Sequence, residues 1–488
     1  MSPRDPTPLR AVRTRPAPPH GPGPAAFQRG DHVELAHRLL HDLGGQTVFD
    51  RDRLWRYDPD RGLWTDVDVA TQTRLLMGYA GADVVVSDRK TVPLKVHRSD
   101  ARGAVELAAA HVASPRFFDA APAGVAFRNG FLALRPHGPT LLAHDADHRA
   151  TFALPFAYDP DARADRWAQF LEEVFAGQPD VAARIACLEE WMGAALFGDV
   201  VRCQACLVLV GEGSNGKSVL LATLRRLFPP EVTESIEPQL WGNVFHLAQL
   251  VRCRLNLVNE MPDADLAATE KFKAVISGDP VHAAQKHRTP FTFAPRAGHI
   301  FACNRLPGTT DQSHGFWRRP VVLTFDRVFA DHEQERDLVD TLATEIAGIV
   351  TRLAVAAARL RDRSWKLEIP ATSEMAKHVW RAETDQVAQF LLDKDALKAL
   401  WDENAHRLWS PRQPRPDPRW TRGTHLYAAF ARWARDHGHR GLSATKFGKR
   451  AGQLLTRADR KDGHWYLLPE LEGNDYANFE LDPPESPT

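Results

Sequence analysis

A mixed α/β fold built on a parallel sheet is what this sequence predicts, and three observations predict it. From about 203 to 330, short apolar runs alternate with helical patterns, the rhythm of strands joined by crossover helices. A glycine-rich turn joins the first run, Cys206-Leu-Val-Leu-Val210, to the helical pattern Val219 to Phe228. Aromatic hairpin patterns precede this block, and a basic helix-helix-hairpin pattern follows it.

The chain of 488 residues has room for two to four domains, at roughly 100–200 residues each. Its 62 basic and 62 acidic residues cancel, which excludes a generally basic nucleic-acid coat and an acidic disordered chain. No stretch is apolar and uncharged for long enough to span a bilayer, so no membrane partner is expected. The first thirty residues hold eight prolines and five arginines but no apolar segment, unlike a secretory signal. The five cysteines suit a reducing compartment, and a cytoplasmic location is the expectation. Cys203-x-x-Cys206 has no second pair at zinc-site spacing and reads as buried, inert thiols.

Taken in order, residues 1–30 read as a disordered basic arm and 31–150 as an α+β accessory domain. Within the latter, Leu54 to Trp64 reads as a hairpin and Phe127 to Leu134 as a strand. Residues 151–202 read as a helical collar or oligomerisation segment, with Trp167, Phe170, Leu171, Val174 and Phe175 on one face. Residues 203–330 form the α/β core, 331–385 a helical connector, 386–469 a last compact unit and 470–488 an acidic tail.

The strongest signal is Gly211-Glu-Gly-Ser-Asn-Gly-Lys-Ser218, a full match to GxxxxGK[ST] between a strand and a helix. Glycines let backbone N–H groups close around phosphate oxygens, and the helix N-terminus adds partial positive charge. Nucleotide contacts are therefore expected from Gly211, Glu212, Gly213, Ser214, Asn215, Gly216, Lys217, Ser218 and Val219, with Lys217 on the β/γ-phosphates and Ser218 on Mg²⁺. The expected cofactors are ATP and Mg²⁺.

Such chemistry needs a group that activates water. Arg254-Leu-Asn-Leu-Val-Asn-Glu260 is a second strand ending in a carboxylate, and Glu260 is the expected general base, touching the metal through nucleotide or water. Gly298 to Asn304 is a third strand, whose terminal Asn304 can hold the attacking water or sense the γ-phosphate. Arg318 and Arg319 precede a fourth strand, and such arginines can stabilise charge on a neighbour's transferred phosphoryl.

In this order, the elements resemble a superfamily-3 helicase. The closer resemblance is to the helicase half of the phage/plasmid primase family, relatives of the poxvirus helicase-primase. Gly213-x-Asn215-Gly216-Lys217-Ser218, Ile276 to Val281, Phe301 to Pro307 and Trp317-Arg318-Arg319 carry it in the motor. Asn129-Gly130, His144 to Pro160, the Trp167 helix and Thr424 to Leu468 carry it in the flanks. The resemblance implies an AAA+-like P-loop NTPase core followed by a winged-helix domain. It implies a homohexameric ring moving 3′→5′ on single-stranded or forked DNA, with ATP sites between subunits and Arg319, rather than Arg318, as the finger. It further implies a channel hairpin whose Lys286 and His287 track the DNA backbone.

The last unit reads as helix, helix, hairpin. Leu426, Tyr427, Phe430 and Trp433 mark one stripe, and Phe447, Ala451 and Leu454 the next, after a Ser443 N-cap. Lys446, Lys449 and Arg450 project from the other face, as a basic recognition helix would on duplex DNA.

The function that the resemblance implies is an ATP-dependent DNA helicase for replication of a phage, plasmid or integrated element, with origin DNA and a separate primase left open as partners. A second reading stays open: an ATP-dependent origin-recognition or regulatory factor that binds DNA without unwinding it. A third adds priming by the pairs Asp50/Asp52, Asp58/Asp60 and Asp66/Asp68, although loop Asp is ordinary turn chemistry.

Overall fold

The computed structural model describes residues 26–87, 90–262, 269–286, 290–309, 311–407, 419–439, 441–461 and 463–469. Its centre is a five-stranded sheet in the spatial order Thr233–Glu234, Leu255–Val258, Gly298–Cys303, Cys206–Val210, Pro320–Thr324. Every neighbouring pair is parallel. The apolar runs are continuous because both faces are covered. Leu207, Leu209, Ile300 and Leu323 pack into one layer, while Cys206, Val208, Phe301 and Val322 pack into the other.

Helices from both sides of the core sequence close the first layer. Asp165–Val174, Val181–Phe197, Lys217–Leu227 and Ile346–Asp362 all contribute to one hydrophobic cluster with the sheet. Helix Val181–Phe197 is buried from Cys187 through Phe197, not only along one stripe. Gly193 is the contact point with helix Ile346–Asp362: a Cβ there would lie 2.3 Å from the Leu353 carbonyl. The second half of Val181–Phe197 is therefore a core segment, while Ala182 and Ala183 at its start stay exposed. The second layer is aromatic, with Trp241, Phe272, Phe316 and Trp380 against the sheet. Helix Ala371–Thr384 belongs here, since Trp380 Nε1 donates to the Pro307 carbonyl at 2.8 Å and its ring meets Trp317 edge-on at 5.0 Å.

The amino-terminal region packs in several clusters, one of which joins Leu63 to Ala126, Phe131 and Ala133. Helices His32–Leu43 and Arg98–His111 and the hairpins around Arg53–Asp58 form clusters of their own. The sheet of Gly124–Phe127, Gly130–Arg135 and Gly138–Leu142 instead sends Val125, Phe127 and Leu132 into the motor layer. The stretch from Phe127 to Leu134 is a hairpin rather than one strand, turning at Arg128-Asn129, and Gly130 takes a φ of 152°. The fold also starts inside the expected basic arm, because Ala26–Phe27 pairs in parallel with Asp83–Ser87. Residues 1–25 and the acidic tail from 470 lie outside the described residues.

Four of these aspartates, Asp50, Asp58, Asp66 and Asp68, serve local structure. Asp50 is buried and accepts from the amides of Arg51, Arg116 and Phe118. Asp58 accepts from the amides of Asp60 and Arg61, Asp66 pairs with Arg53, and Asp68 caps helix Val69–Met77.

The last unit packs helices Gln386–Leu392, Lys394–Arg407, Gly423–Asp436 and Ala444–Leu454 against an antiparallel sheet. Its strand order is Trp420–Arg422, Gly463–Leu467, Thr456–Arg460. Leu426, Phe430, Phe447 and Ala451 form the core, and Ser443 caps its helix by accepting from the Lys446 amide.

Candidate active site

The glycine loop leaves the sheet after Val210 and ends at Lys217, the first residue of helix Lys217–Leu227. Ser214 and Gly216 hold left-handed φ values of 57° and 86°. Gly216 must be glycine twice over, since a Cβ would also lie 2.5 Å from Val174 Cγ1. At Gly211 a Cβ would lie 2.5 Å from the Phe325 carbonyl. The loop is tied on both sides: the Gly211 amide donates to Cys303 O at 3.3 Å, and the Phe329 amide to Ser214 O at 2.8 Å.

Asn215 is buried and acts on the loop itself. Its Nδ2 donates to Phe325 O at 3.1 Å and to Glu212 O. Lys217 is buried too. Its ammonium donates to Gly211 O, to Glu212 O at 3.3 Å and to Asn215 Oδ1 at 3.3 Å. Burial lowers its pKa, and no carboxylate pairs with it among the described residues. A buried cation facing only neutral acceptors is a poor structural element and a good receptor for an anion.

Glu260 and Asn304 stand just beyond the ends of Leu255–Val258 and Gly298–Cys303, side by side at the carboxyl edge of the sheet. The Met261 amide donates to Ala302 O at 2.7 Å, carrying the pairing past the strand end and fixing their spacing. Both are exposed, and both line the same cavity of about 380 Å³ as residues 212–219. Asn259 is held by Arg225, whose Nη2 donates to its Oδ1 at 3.1 Å. Glu260 has no ion pair among the described residues.

The two arginines differ in placement. Arg319 is only 6% exposed, donates to Ser277 Oγ at 2.7 Å and to Gly315 O, and has its pKa lowered by burial. Arg318, at the end of helix His314–Trp317, is exposed. Within the single chain, Arg319 is thus engaged by its own subunit, while Arg318 faces solvent. Neither lines the cavity of its own chain.

Of the expected DNA contacts, Lys286 is exposed beyond the hairpin of Val281–Ala283 and Phe291–Phe293, and His287 lies outside the described residues. Lys446 and Lys449 are exposed on helix Ala444–Leu454. Arg450 is a correction: it is buried against Asp385, so it braces the unit instead of facing DNA.

The structure also brings to the cavity residues that motif reading does not single out: Arg166, Glu173, Phe329, Gln334, Glu335 and Leu338. They come from helix Asp165–Val174 and from the segment after the last strand. Only their proximity in sequence to the core could have flagged them.

Comparison with known proteins places this geometry in context. Residues 47–176 match the family described as D5 N terminal like, and residues 209–319 match a family of unknown function, DUF5906. A protein of Invertebrate iridescent virus 6 with a provisional helicase name is 25% identical over 225 residues, covering 38% of this chain and 23% of that protein. A similarly named protein of Acanthamoeba polyphaga mimivirus is 30% identical over 135 residues, covering 26% of this chain and 14% of that protein. The chain thus spans less than a quarter of the length of these curated relatives. Two solved structures of the NrS-1 C terminal region overlie 90% of the chain, with TM-scores of 0.48 and 0.45 at 14% and 11% identity, covering 99% and 98% of those chains.

Proposed function

We propose that this chain is an ATP-hydrolysing DNA helicase motor for replication, assembled as a ring and moving 3′→5′ on single-stranded DNA. The observation that carries the reading is the convergence of Lys217, Ser218, Glu260 and Asn304 on one cavity at the carboxyl edge of a parallel sheet. The order of that sheet supports an AAA+-like, superfamily-3 assignment, as does the resemblance of its motifs.

The residues fit a nucleotide triphosphate with Mg²⁺. Lys217 holds a buried positive charge with only neutral acceptors around it, the state a phosphate would relieve. Ser218 and Glu260 would hold the metal, directly or through water, and the metal neutralises charge on the phosphates when bound. Lys217 and the loop amides bind and orient the phosphates. Glu260 accepts the proton of the attacking water, and Asn304 orients that water. Arg318 of a neighbouring copy stabilises the charge on the transferred group.

DNA contacts are assigned to Lys286 and His287 in the ring channel and to Lys446 and Lys449 on a winged-helix unit. Two named viral helicases among the relatives support the class of activity. The test is ATP hydrolysis with and without single-stranded DNA, followed by unwinding of a forked duplex. Stimulated turnover that vanishes in Lys217→Ala is expected. ATP binding without DNA-stimulated turnover would reject the motor in favour of an assembly factor.

A further inference from the structure

We propose that the outer face of the sheet in the last unit binds single-stranded DNA, with Trp420 and Trp465 as base platforms and Arg460 as the backbone contact between them. This rests on the DNA reading of the chain. It places the unpaired strand on a different surface from the one given to Lys446 and Lys449.

The register sorts the side chains of this sheet. Alternate residues of a strand share a face, as do residues directly opposite in an antiparallel pair. Thr421, Tyr466 and Arg457 stand opposite one another, so Asp459 and His464 share their face. Thr421 and Tyr466 are buried there, and the Tyr466 hydroxyl donates to Gly448 O of helix Ala444–Leu454 at 3.3 Å. At the far end of that face Asp459 takes Arg457 at 2.9 Å and His464 at 2.6 Å. The other face carries Trp420, Arg422, Arg460, Trp465 and Leu467. Asp459 is the only acid in the three strands, so this outer face holds two guanidinium groups and no carboxylate of the sheet.

Both tryptophans are half-buried, and Arg460 is exposed. The Arg460 guanidinium lies 5.3 Å from the Trp420 ring centroid and 4.6 Å from that of Trp465. Large rings beside cations suit an occupant that is apolar on its flat faces and anionic along its edge. Unpaired bases on a phosphate backbone have that form, whereas a duplex hides its base faces in its own stack. Trp420 and Trp465 are diagonal neighbours on adjacent strands, about 7–8 Å apart. Successive bases can therefore meet successive rings. A guanidinium lying on an indole keeps N–H edges for phosphate oxygens. Helix Ala444–Leu454, with Lys446 and Lys449, packs on the Tyr466 side. The unit would thus hold both parts of a fork, paired strands on the helix and an unpaired strand on the sheet.

The experiment is fluorescence anisotropy of a labelled oligo-dT and of a labelled blunt duplex with the full chain, without nucleotide. Trp420→Ala and Trp465→Ala should each weaken oligo-dT binding at least about fivefold, the low end for one lost base stack. Duplex binding should stay within about twofold, and Trp465→Phe should restore most of the loss. Arg460→Ala tests the face without disturbing the core. Its oligo-dT affinity should fall, and the slope of log affinity against log salt should shrink by about 0.7, the value for one phosphate on a single strand. These losses should persist in a Lys286→Ala background, which removes the proposed channel contact. Unchanged oligo-dT affinity in the tryptophan and Arg460 variants would overturn the proposal, as would losses of equal size on oligo-dT and duplex. DNA-stimulated ATP hydrolysis by the unsubstituted chain tests the motor separately: its absence, with the binding losses intact, would reject the motor while still supporting the sheet assignment.

Discussion

Asp385 and Arg450 form a buried ion pair that joins the start of helix Gln386–Leu392 to the middle of helix Ala444–Leu454. One carboxylate oxygen, Oδ2, lies 2.7 Å from Nε and 2.6 Å from Nη2. Removing one partner strands the other in the interior. Arg450→Ala should therefore destabilise the last unit by about 3–5 kcal/mol in urea unfolding. A loss below about 0.5 kcal/mol, the size of a surface substitution, would mean that the pair is dispensable.

Lys446→Ala with Lys449→Ala should behave oppositely. Both are exposed, so stability should hold while duplex DNA affinity falls. The slope of log affinity against log salt should shrink by about 0.9 for each phosphate that the lysines no longer neutralise. An unchanged slope would remove these lysines from the DNA surface.

Glu260→Gln should keep nucleotide binding and lose turnover. A general base contributes about 10²–10⁴-fold, so kcat should fall by that order while ATP affinity stays within a few-fold. Comparable loss of both would make Glu260 a binding residue.

The adjacent arginines should separate cleanly. Arg319→Ala should lower stability, because it removes the bond to Ser277 and leaves a hole under the first residues of Pro320–Thr324. Arg318→Ala should leave the fold intact and depress hydrolysis in mixed oligomers beyond its own share of subunits. Full activity of an Arg318→Ala homo-oligomer would rule out a trans role.

His299 sets an acid limit. It lies in the central strand Gly298–Cys303 against Trp241, and burial lowers its pKa from 6.5 to about 3. Between these values the unfolded chain binds a proton that the folded chain refuses. Stability from this group is fully present above 6.5 and falls as pH drops toward 3, by up to about 1.4 kcal/mol per unit. His299→Phe should flatten that part of the stability–pH curve, and an unchanged curve would show that other groups govern it.

The residues that meet at the cavity were legible in the sequence where they carry local signatures. Lys217, Glu260 and Asn304 announce themselves because strand ends and glycine turns have local signatures. Arg318 and Arg319 do not separate locally: which one is buried depends on the packing of a one-turn helix against Ser277. The partner of helix Val181–Phe197 has no local signature, because Gly193 meets the Leu353 carbonyl only once Ile346–Asp362 returns to cover it. Phe329 is silent in sequence because an aromatic in an irregular segment has no period to betray its partner.

The place of Gly298–Cys303 in the sheet turns the fold into a gauge. It lies between the strand that feeds the glycine loop and the strand that ends at Glu260. The strand before Glu260 therefore stands two strand spacings, roughly 9–10 Å, from the loop-bearing strand. On the proposed reading, that gap would take a phosphoryl group and one water, with Asn304 on the strand between. Side-chain length then becomes a matter of reach: aspartate at 260 keeps the charge but withdraws it by about 1.5 Å, one carbon–carbon bond.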